Sequence, residues 1–571
     1  MLDDYRKRLR SYDSVIAYAM LGIVGGIASG LIVIAFEIAI GQAALLFGVG
    51  GNGEDFESLP RWMFFALPAG GALVIGLAYS ALRPVDRETG IVHVLSRMHS
   101  HYSVLPLRNA LVQFLGGAFC LATGQSGGRE GPSIHLGGAV NSLLGQRLGL
   151  PNNSLRVLIA CGTAGGIAAA FNTPLAGVIF AMEVIIAEYT VVGFIPVMLA
   201  AVSASAVSRT VAVGGGLITL PELSLASVAE LPVAMLLGLC CGIAVAAFIR
   251  ISRFAAGFAH LPVVLRFTVA GMLTGTLALL VPHILGVGYD TLNLALAGEV
   301  AAGTLVVIAL AQVLATAITC GVGMPVGLIG PSLLIGACLG GSFGAAVQLL
   351  PLDSASAPVV YVVIGMGASM AAVLNAPLAA MLAVVELTGT VGIGMAALLA
   401  IVVATLTNGD LFRQRSAHQS VLQQLQRQVP DDPLNQLLHR THVNATMDTR
   451  VVRVPFMLGE QDLATLLEGS PAWCLVERDG EDLYLVSGTE LLAWLEEALA
   501  EAEDADVTEA GIRRWTTAAV PMQATLRQAL DAMRAGTTET VHVITPSPTS
   551  GRTILHGVVT RESIERFTLA S

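Results

Sequence analysis

Charged side chains are scarce in this 571-residue chain, where Asp, Glu, Lys and Arg together make up only 12% of the residues. Soluble proteins carry about 25%. A surface exposed to water over the whole length is therefore excluded. The chain is 54% hydrophobic, and runs such as residues 15–40 exceed the about 20 residues that a helix needs to cross a bilayer core. We predict an integral membrane protein.

Patterns that would indicate an enzyme, a metal centre or a resident cofactor are also lacking. The seven Cys residues form no CxxC motif, and no nucleophile–base pair or phosphate-binding loop has the required spacing. We therefore expect neither catalysis nor a bound metal or cofactor in the membrane region. The cluster of His93, His99 and His101 could bind a metal, but its loop setting favours a solvent-facing polar segment.

Basic residues flank the apolar region on both sides. The first ten residues contain four of them, and Arg413 and Arg415 follow the last apolar stretch. By the positive-inside rule, both termini are predicted to be cytoplasmic. Hydropathy alone predicts ten to twelve spans, and a bacterial inner membrane is the expected location. The net charge of −11 resides mostly in the C-terminal part, and no nucleic-acid partner is expected.

Composition divides the chain into four parts. Apolar residues dominate up to about residue 410, and the segment around Pro430 and Pro433 returns to the composition of a soluble protein. The predicted parts are a cytoplasmic N-terminus (1–14), a membrane transport domain (15–425), a linker (426–445) and a cytoplasmic domain (446–571).

An internal repeat organises the membrane domain. FNTPLAGVIFAME (171–183) and LNAPLAAMLAVVE (374–386) match, and in each the Glu follows the Asn by eleven positions. Upstream lie GREGP (128–132) and GLIGP (327–331). The offsets are 203 and 199 residues, so the halves stay in near register. The repeats are placed at about residues 60–210 and 265–410.

Both GxxGP-type motifs suit the start of a broken helix near the middle of the membrane. Gly frees the backbone, and Pro is tolerated in the first helical turn. The exposed amides and the positive end of the helix dipole favour an anion there. Duplicated transporters commonly place their site at the interface of the repeats. The alternative is that these glycines serve packing only.

GREGP with the following SIHLGG, FNTPLAGVIFAMEV and the GLIGP break resemble the signature segments of the CLC family of chloride channels and transporters. The likeness covers roughly residues 15–425. It implies an all-α polytopic membrane protein with an antiparallel two-repeat architecture and broken helices. It also implies a homodimer in the lipid bilayer, with one chloride pathway in each subunit.

The resemblance assigns roles to individual residues. Glu130 is similar to the gating glutamate, whose carboxylate occupies an anion site when ionised and leaves it when protonated or displaced. The main-chain amides near Gly131, Leu328 and Ile329 correspond to chloride-binding donors. Arg129 is expected to support this loop and the anion vestibule.

Three departures affect the anion pathway. The family's GSGIP reads ETGIV here, so that Thr89 stands where a serine hydroxyl would donate to the anion. Ile329 replaces the aromatic residue of GxFxP, and its backbone amide is unaffected. Where a tyrosine would close the inner mouth, RSAHQSVL offers His418. A pore-lining role for His418 and a core or surface role stay equally open.

A fourth departure concerns protons, for which exchangers often carry an inward-facing glutamate after the acid that ends FxxxE. Here Val184 follows Glu183. Valine at this position resembles the channel members. Glu183 points about 100° away on an ideal helix and is a poor substitute.

The C-terminal part also looks duplicated. VVRVPFMLGEQDLATLL (451–467) and TAAVPMQATLRQALDAM (517–533) share a Val-Pro start, and a β-rich run follows each copy. The pattern resembles a pair of CBS modules, a small α/β cytoplasmic domain. Thr560 fits their nucleotide-binding pattern, but Ser563 replaces its acid. Adenine-nucleotide binding and a purely structural or dimerising use remain open.

Three functions are compatible with these features. The leading prediction is passive chloride transport through a glutamate-gated pathway. The alternative is chloride/proton antiport, with protons as a second transported ion. A ligand-sensing membrane scaffold with a vestigial pore fits less well, because GREGP is intact.

Overall fold

A computed structural model describes residues 15–100, 103–150, 152–186, 191–211, 225–349, 356–389, 392–425, 437–438, 441–478, 481–500, 502–546 and 553–570. The chain divides into two compact units, Met1–Val429 and Pro430–Ser571. The predicted N-terminal segment 1–14 and most of the predicted linker 426–445 lie outside the described residues.

The first unit is helical. Its described helices in the first half are α1 (Val15–Leu46), α2 (Met63–Ser80), α3 (Gly90–Ser100), α4 (Leu107–Ala122), α5 (Glu130–Arg147), α6 (Asn152–Phe171), α7 (Pro174–Phe180) and α8 (Val191–Val211). Those in the second half are α9 (Leu231–Ala256), α10 (Val263–Ala278), α11 (Tyr289–Ala297), α12 (Ala302–Gly321), α13 (Ile329–Val347), α14 (Pro358–Leu374), α15 (Pro377–Thr388), α16 (Gly394–Leu406) and α17 (Ala417–Gln424).

Eight helices in the described part of the chain are long and apolar enough to cross a membrane, and five shorter apolar helices accompany them. Hydropathy predicted ten to twelve spans. The difference arises because several apolar segments are broken helices. For example, Pro174 opens α7 after Asn172, which adopts a left-handed backbone conformation with φ +57°. Asn375 adopts the same left-handed conformation, with φ +54°, before Pro377 opens α15.

The repeat is visible in how the helices pack. α5 crosses α6 at Gly137 and Gly162, and α13 crosses α14 at Gly336 and Gly365. A Cβ atom on Gly137 would lie 2.2 Å from the carbonyl oxygen of Gly162, and one on Gly336 would lie 2.1 Å from that of Gly365. These glycines stand at the same offsets as the sequence motifs. They let the paired helix backbones touch, as small residues do in membrane proteins.

The second unit is a small α/β structure. Its helices are α18 (Glu460–Gly469), α19 (Gly488–Ala498), α20 (Leu526–Gly536) and α21 (Arg561–Ala570). Its strands are β1 (Val451–Pro455), β2 (Met457–Gly459), β3 (Trp473–Arg478), β4 (Glu481–Ser487), β5 (Asp504–Asp506), β6 (Arg514–Trp515), β7 (Thr517–Pro521), β8 (Thr540–Pro546) and β9 (Thr553–Thr560).

A β-α-β-β-α pattern occurs twice in this unit. In the first copy β1 pairs with β3 in parallel, and β3 pairs with β4 antiparallel. In the second copy β7 pairs with β8 in parallel, and β8 pairs with β9 antiparallel. Each copy has its own core, around Val476 in the first and Val543 in the second. The predicted fold class, a helical membrane protein with a small α/β unit, is confirmed.

Candidate functional site

The two GxxGP-type motifs meet directly. The amide of Gly128 donates to the carbonyl of Gly327 at 2.7 Å, and the amide of Gly327 donates to the carbonyl of Gly128 at 2.7 Å. A Cβ atom on Gly327 would lie 2.6 Å from the amide nitrogen of Gly131, so only glycine allows this approach. The N-termini of α5 and α13 are thereby held side by side. Both helix starts carry amides without an intrahelical acceptor.

Glu130 lies between these helix starts and is completely buried. The amide of Gly330 donates to its Oε2 atom at 3.0 Å, and the hydroxyl of Tyr289 donates to its Oε1 atom. A Cβ atom on Gly128 would lie 2.1 Å from Oε2. The carboxylate therefore occupies a helix N-terminus, which is a favourable place for an anion.

The amide that contacts Glu130 is one residue beyond the predicted donors. Leu328 precedes α13 as its N-cap residue, and Ile329 is its first residue. Both side chains are buried. Their amides belong to the same helix start, and their predicted role toward chloride stays a prediction. The donor to Glu130, Gly330, was missed because the motif alone does not say which amide faces the carboxylate.

Tyr289 and Arg129 form a layer beside the carboxylate. The guanidinium carbon of Arg129 lies 5.0 Å from the centre of the Tyr289 ring. Arg129 also forms ion pairs with Glu37 at 3.4 Å and Glu54 at 3.8 Å. Arg129 thus joins α1, the loop after it and α11 to the segment that precedes α5. Its expected role in supporting the anion vestibule stays a prediction. The sequence did not predict a role for Tyr289. The one local feature that could have indicated it is a tyrosine at the start of an apolar segment.

A cavity of about 480 Å³ brings together four of the predicted residues. Thr89, Gly131, Leu328 and His418 line it. Charged side chains at the cavity are Arg87, Glu88 and Arg266. Arg129, Glu130 and Ile329 are not among its lining residues.

His418 is buried at the start of α17, where the Ser416 hydroxyl accepts from the amide of Gln419 at 3.3 Å. Its Nδ1 atom has no hydrogen-bond partner among the described residues. The ring belongs to the cavity wall. The structure excludes an exposed position, and the pore-lining role of His418 stays a prediction.

Thr89 is half-buried beside the N-terminus of α3. The helix begins at Gly90 with φ +73°, so this glycine keeps the turn although the neighbouring Gly and Pro of the family motif are lost. The amide of Gly90 donates to Oε1 of Gln113 at 2.7 Å. Nε2 of Gln113 donates to the carbonyl of Pro325 at 2.9 Å. Gln113 therefore links the Thr89 loop to the segment that precedes α13.

The prediction of a solvent-facing histidine cluster is wrong for His93. Its ring is buried, and its Nδ1 lies 2.8 Å from Nε2 of His135 on α5. Helical packing between α3 and α5 turns it inward. The side chain of His99 and all of His101 lie outside the described residues. In the part of the chain that the structure describes, no group of three or more His, Cys, Asp or Glu could hold a metal ion.

Glu183 and Val184 lie in a π-helical extension of α7, Ala181–Ile186. The carboxylate of Glu183 accepts from the amides of Leu378 at 3.3 Å and Ala379 at 2.9 Å. It therefore caps the first turn of α15. Val184 is half-buried and packs against the main apolar core.

Fold and site together define a membrane transport protein with two helix N-termini around a buried carboxylate. Residues 71–409 match the model of the family described as voltage gated chloride channel. Because this match covers more than half of the chain, the protein belongs to that family, the CLC proteins, and its function is transmembrane chloride transport.

The curated relatives include a protein named as a chloride channel and others named as exchange transporters. The chain is 32% identical over 381 residues to a putative chloride channel protein ClcB-like from Ralstonia nicotianae, covering 65% of this chain and 89% of the relative. It is 30% identical over 432 residues to the H(+)/Cl(−) exchange transporter ClcA of Vibrio campbellii, covering 73% and 92%. These relatives are named as a channel and a transporter, not as enzymes.

Solved structures show the same fold. A slow cyanobacterial Cl−/H+ antiporter superimposes with a TM-score of 0.63 at 23% identity, covering 72% of this chain and 97% of that one. A eukaryotic CLC transporter gives a TM-score of 0.61 at 19% identity and covers 96% and 97%. The second likeness extends over most of the C-terminal unit as well.

Proposed function

We propose that Glu130 is the gate of the chloride pathway. The observation that carries this proposal is the carboxylate at the start of α13, bound by the amide of Gly330. A chloride ion and a carboxylate carry the same charge and compete for such donors. When Glu130 is ionised it fills the site, and when it is protonated it gives the site up to chloride.

The inner part of the pathway is proposed to run through the 480 Å³ cavity. Thr89 and His418 supply side-chain donors, and the helix starts at Gly131 and Leu328 supply main-chain amides. Arg87 and Arg266 add positive charge to this cavity, which attracts an anion. Ile329 is the first residue of α13 and precedes Gly330, whose amide contacts Glu130. Arg129, which pairs with Glu37 and Glu54, supports the segment that precedes α5.

We further propose that chloride moves passively. Val184 cannot hold a proton, and Glu183 is engaged with the amides of Leu378 and Ala379. The inward acid that begins the proton route in many exchangers therefore has no counterpart at this position. Chloride/proton exchange is the second candidate, since several relatives are named as exchangers.

The reversal potential of purified protein in liposomes distinguishes the two. Passive transport gives the chloride Nernst value, and a pH gradient alone drives no net chloride movement under voltage clamp. Uphill proton movement driven by a chloride gradient, and lost in Glu130→Gln, would contradict the passive proposal and support exchange. A vestigial pore would give no chloride flux under either the chloride gradient or the pH gradient.

We propose that the protein resides in a bacterial inner membrane as a homodimer, with both termini in the cytoplasm. The basic residues Arg413 and Arg415 after α16 support this orientation. Lipid contacts are proposed for exposed apolar side chains such as Leu115 and Leu310. Protease digestion of inside-out membrane vesicles tests the orientation, and chemical cross-linking in detergent tests the dimer.

The duplicated β-α-β-β-α unit is proposed to be a CBS pair that takes an adenine nucleotide. A cavity of about 860 Å³ in this unit is lined by Trp473, Trp515, Arg513, Arg561 and Thr560, among others. The tryptophan rings lie 5.1 Å apart at 81°, and an arginine stacks on one of them. Such a wall offers apolar surface to a base and positive charge to phosphates.

Some charged side chains at this cavity are already paired with each other. Arg450 bonds to Asp448 at 3.0 Å and lowers the pKa of that carboxyl. Ser563 takes the position of the expected acid and bonds to Thr560 instead. Calorimetry with ATP and AMP tests the proposal, with Trp515→Ala as the variant. No heat with either nucleotide would favour a structural role.

A further inference from the structure

We propose that Tyr289 is a positioning residue that latches Glu130 in the pathway and sets the pH at which the gate opens. The inference rests on the proposed role of Glu130. Tyr289 is buried, and its hydroxyl donates to Oε1 of the carboxylate from α11. The amide of Gly330 holds the other oxygen from α13. The gate is therefore held by one donor on each oxygen.

This arrangement restricts where a proton can bind on Glu130. The amide of Gly330 can only donate, so Oε2 must accept. A proton on Glu130 would have to sit on Oε1, where the tyrosine hydroxyl already points its hydrogen. Protonation therefore requires Tyr289 to rotate its hydroxyl or release the carboxyl. Hydrogen bonds to the charged form of an acid oppose its protonation.

The tyrosine ring is fixed from three sides. Gly288, with φ +80°, turns the chain so that Tyr289 becomes the first residue of α11. Phe171 at the end of α6 meets the ring edge-on, with centroids 6.4 Å apart. Arg129 stacks on its face. The ring cannot move without disturbing these contacts. Its hydroxyl is therefore held in position beside Oε1 of Glu130.

The charged groups around the gate come from several elements. Arg129 precedes α5, Glu37 lies on α1 and Glu54 lies in the loop after α1. Because Arg129 pairs with both acids, its positive charge is largely shared with them. Both Glu37 and Arg129 also interact electrostatically with Glu130. The two direct donors, Tyr289 and Gly330, are thus the contacts that hold the carboxylate, and only Tyr289 acts through a side chain.

The test is chloride efflux from liposomes as a function of pH. Tyr289→Phe keeps the ring and its contacts with Arg129 and Phe171 but removes the donor. We expect flux at neutral pH to rise about tenfold and the pH midpoint to move up by about one unit, the size that fits losing one hydrogen bond to an ionised group. In the Glu130→Ala background, Tyr289→Phe should change neither quantity.

Tyr361→Phe is the matched control, because the Tyr361 hydroxyl also donates to a buried carboxylate, that of Glu230, outside the proposed pathway. It should leave the pH midpoint unchanged. A wild-type midpoint in Tyr289→Phe, or the same shift in Tyr361→Phe, overturns the latch. If Glu130→Ala keeps the wild-type pH dependence, the gate itself is overturned and the latch with it. Thermal unfolding in detergent verifies that each variant is folded.

Discussion

Glu183 and Glu386 each cap a helix that belongs to the other repeat. Glu183 accepts from the amides at the start of α15, and Glu386 accepts from those of Leu175 at 2.9 Å and Ala176 at 2.8 Å at the start of α7. The residues that precede these helices, Thr173 and Ala376, provide no side-chain cap. The two repeats therefore complete each other's broken helices.

Loss of either cap should reduce stability without changing chloride flux. We expect Glu183→Ala and Glu386→Ala each to lower the free energy of unfolding by about 1 to 2 kcal/mol, since each leaves two helix-start amides without their acceptor. Thermal unfolding in detergent measures the loss. Glu183→Gln keeps one acceptor oxygen and should lose less. If the wild type moves protons and a stable Glu183→Gln variant does not, Glu183 carries protons instead.

Glu130→Gln should behave as a permanently protonated gate. The amide has the size of the carboxyl group but lacks the charge that competes with chloride. Flux should persist and become largely insensitive to pH, as measured by chloride efflux across a pH series. A folded variant that carries no chloride would contradict the gating role.

Gly128→Ala should expel the Glu130 carboxylate from its site. The added methyl group would lie 2.1 Å from Oε2, closer than any stable contact, and the flexible carboxylate can yield more easily than the backbone. We expect chloride flux with weak pH dependence, similar to that of Glu130→Gln. Gly303→Ala is the control, because its Cβ atom would meet nothing within 4 Å. Equal behaviour of the two alanine variants would argue against a packed gate.

His418→Ala should change chloride flux from the cavity side. The buried ring is part of the cavity wall, and alanine removes it and enlarges the cavity. His418→Gln restores a donor and should recover part of the wild-type flux. Efflux is measured with the pH varied on the cavity side only. Wild-type flux and pH response in His418→Ala would place His418 outside the pathway.

Much of the site follows from local sequence. GREGP and GLIGP predict helix starts, and their matching offsets predict that the two starts meet. The pair of hydrogen bonds between Gly128 and Gly327 is the result. Glu130 was predictable because an acid at an apolar helix start is costly unless it has a function. Thr89 and His418 were reached through the resemblance, and they line one cavity.

Other parts depend on contacts between distant residues. Tyr289 is separated from Glu130 by 159 residues, and no local pattern connects them. His93 is buried because α5 brings His135 against it, although its neighbourhood in sequence is polar. Burial of such side chains is decided by tertiary packing, which the periodicity of one segment does not contain.

The hydrogen-bonded pair of Gly128 and Gly327 can form only after both repeats have been synthesised. A chain grows at about 5 to 20 residues per second, so about 10 to 40 s separate the synthesis of these two glycines. During that interval Glu130 has been inserted without the amide of Gly330, and a buried acid without a partner is costly in a bilayer. The first repeat is therefore inserted before the partner of this carboxylate exists. The contacts around Glu130 are completed only when the second repeat enters the membrane.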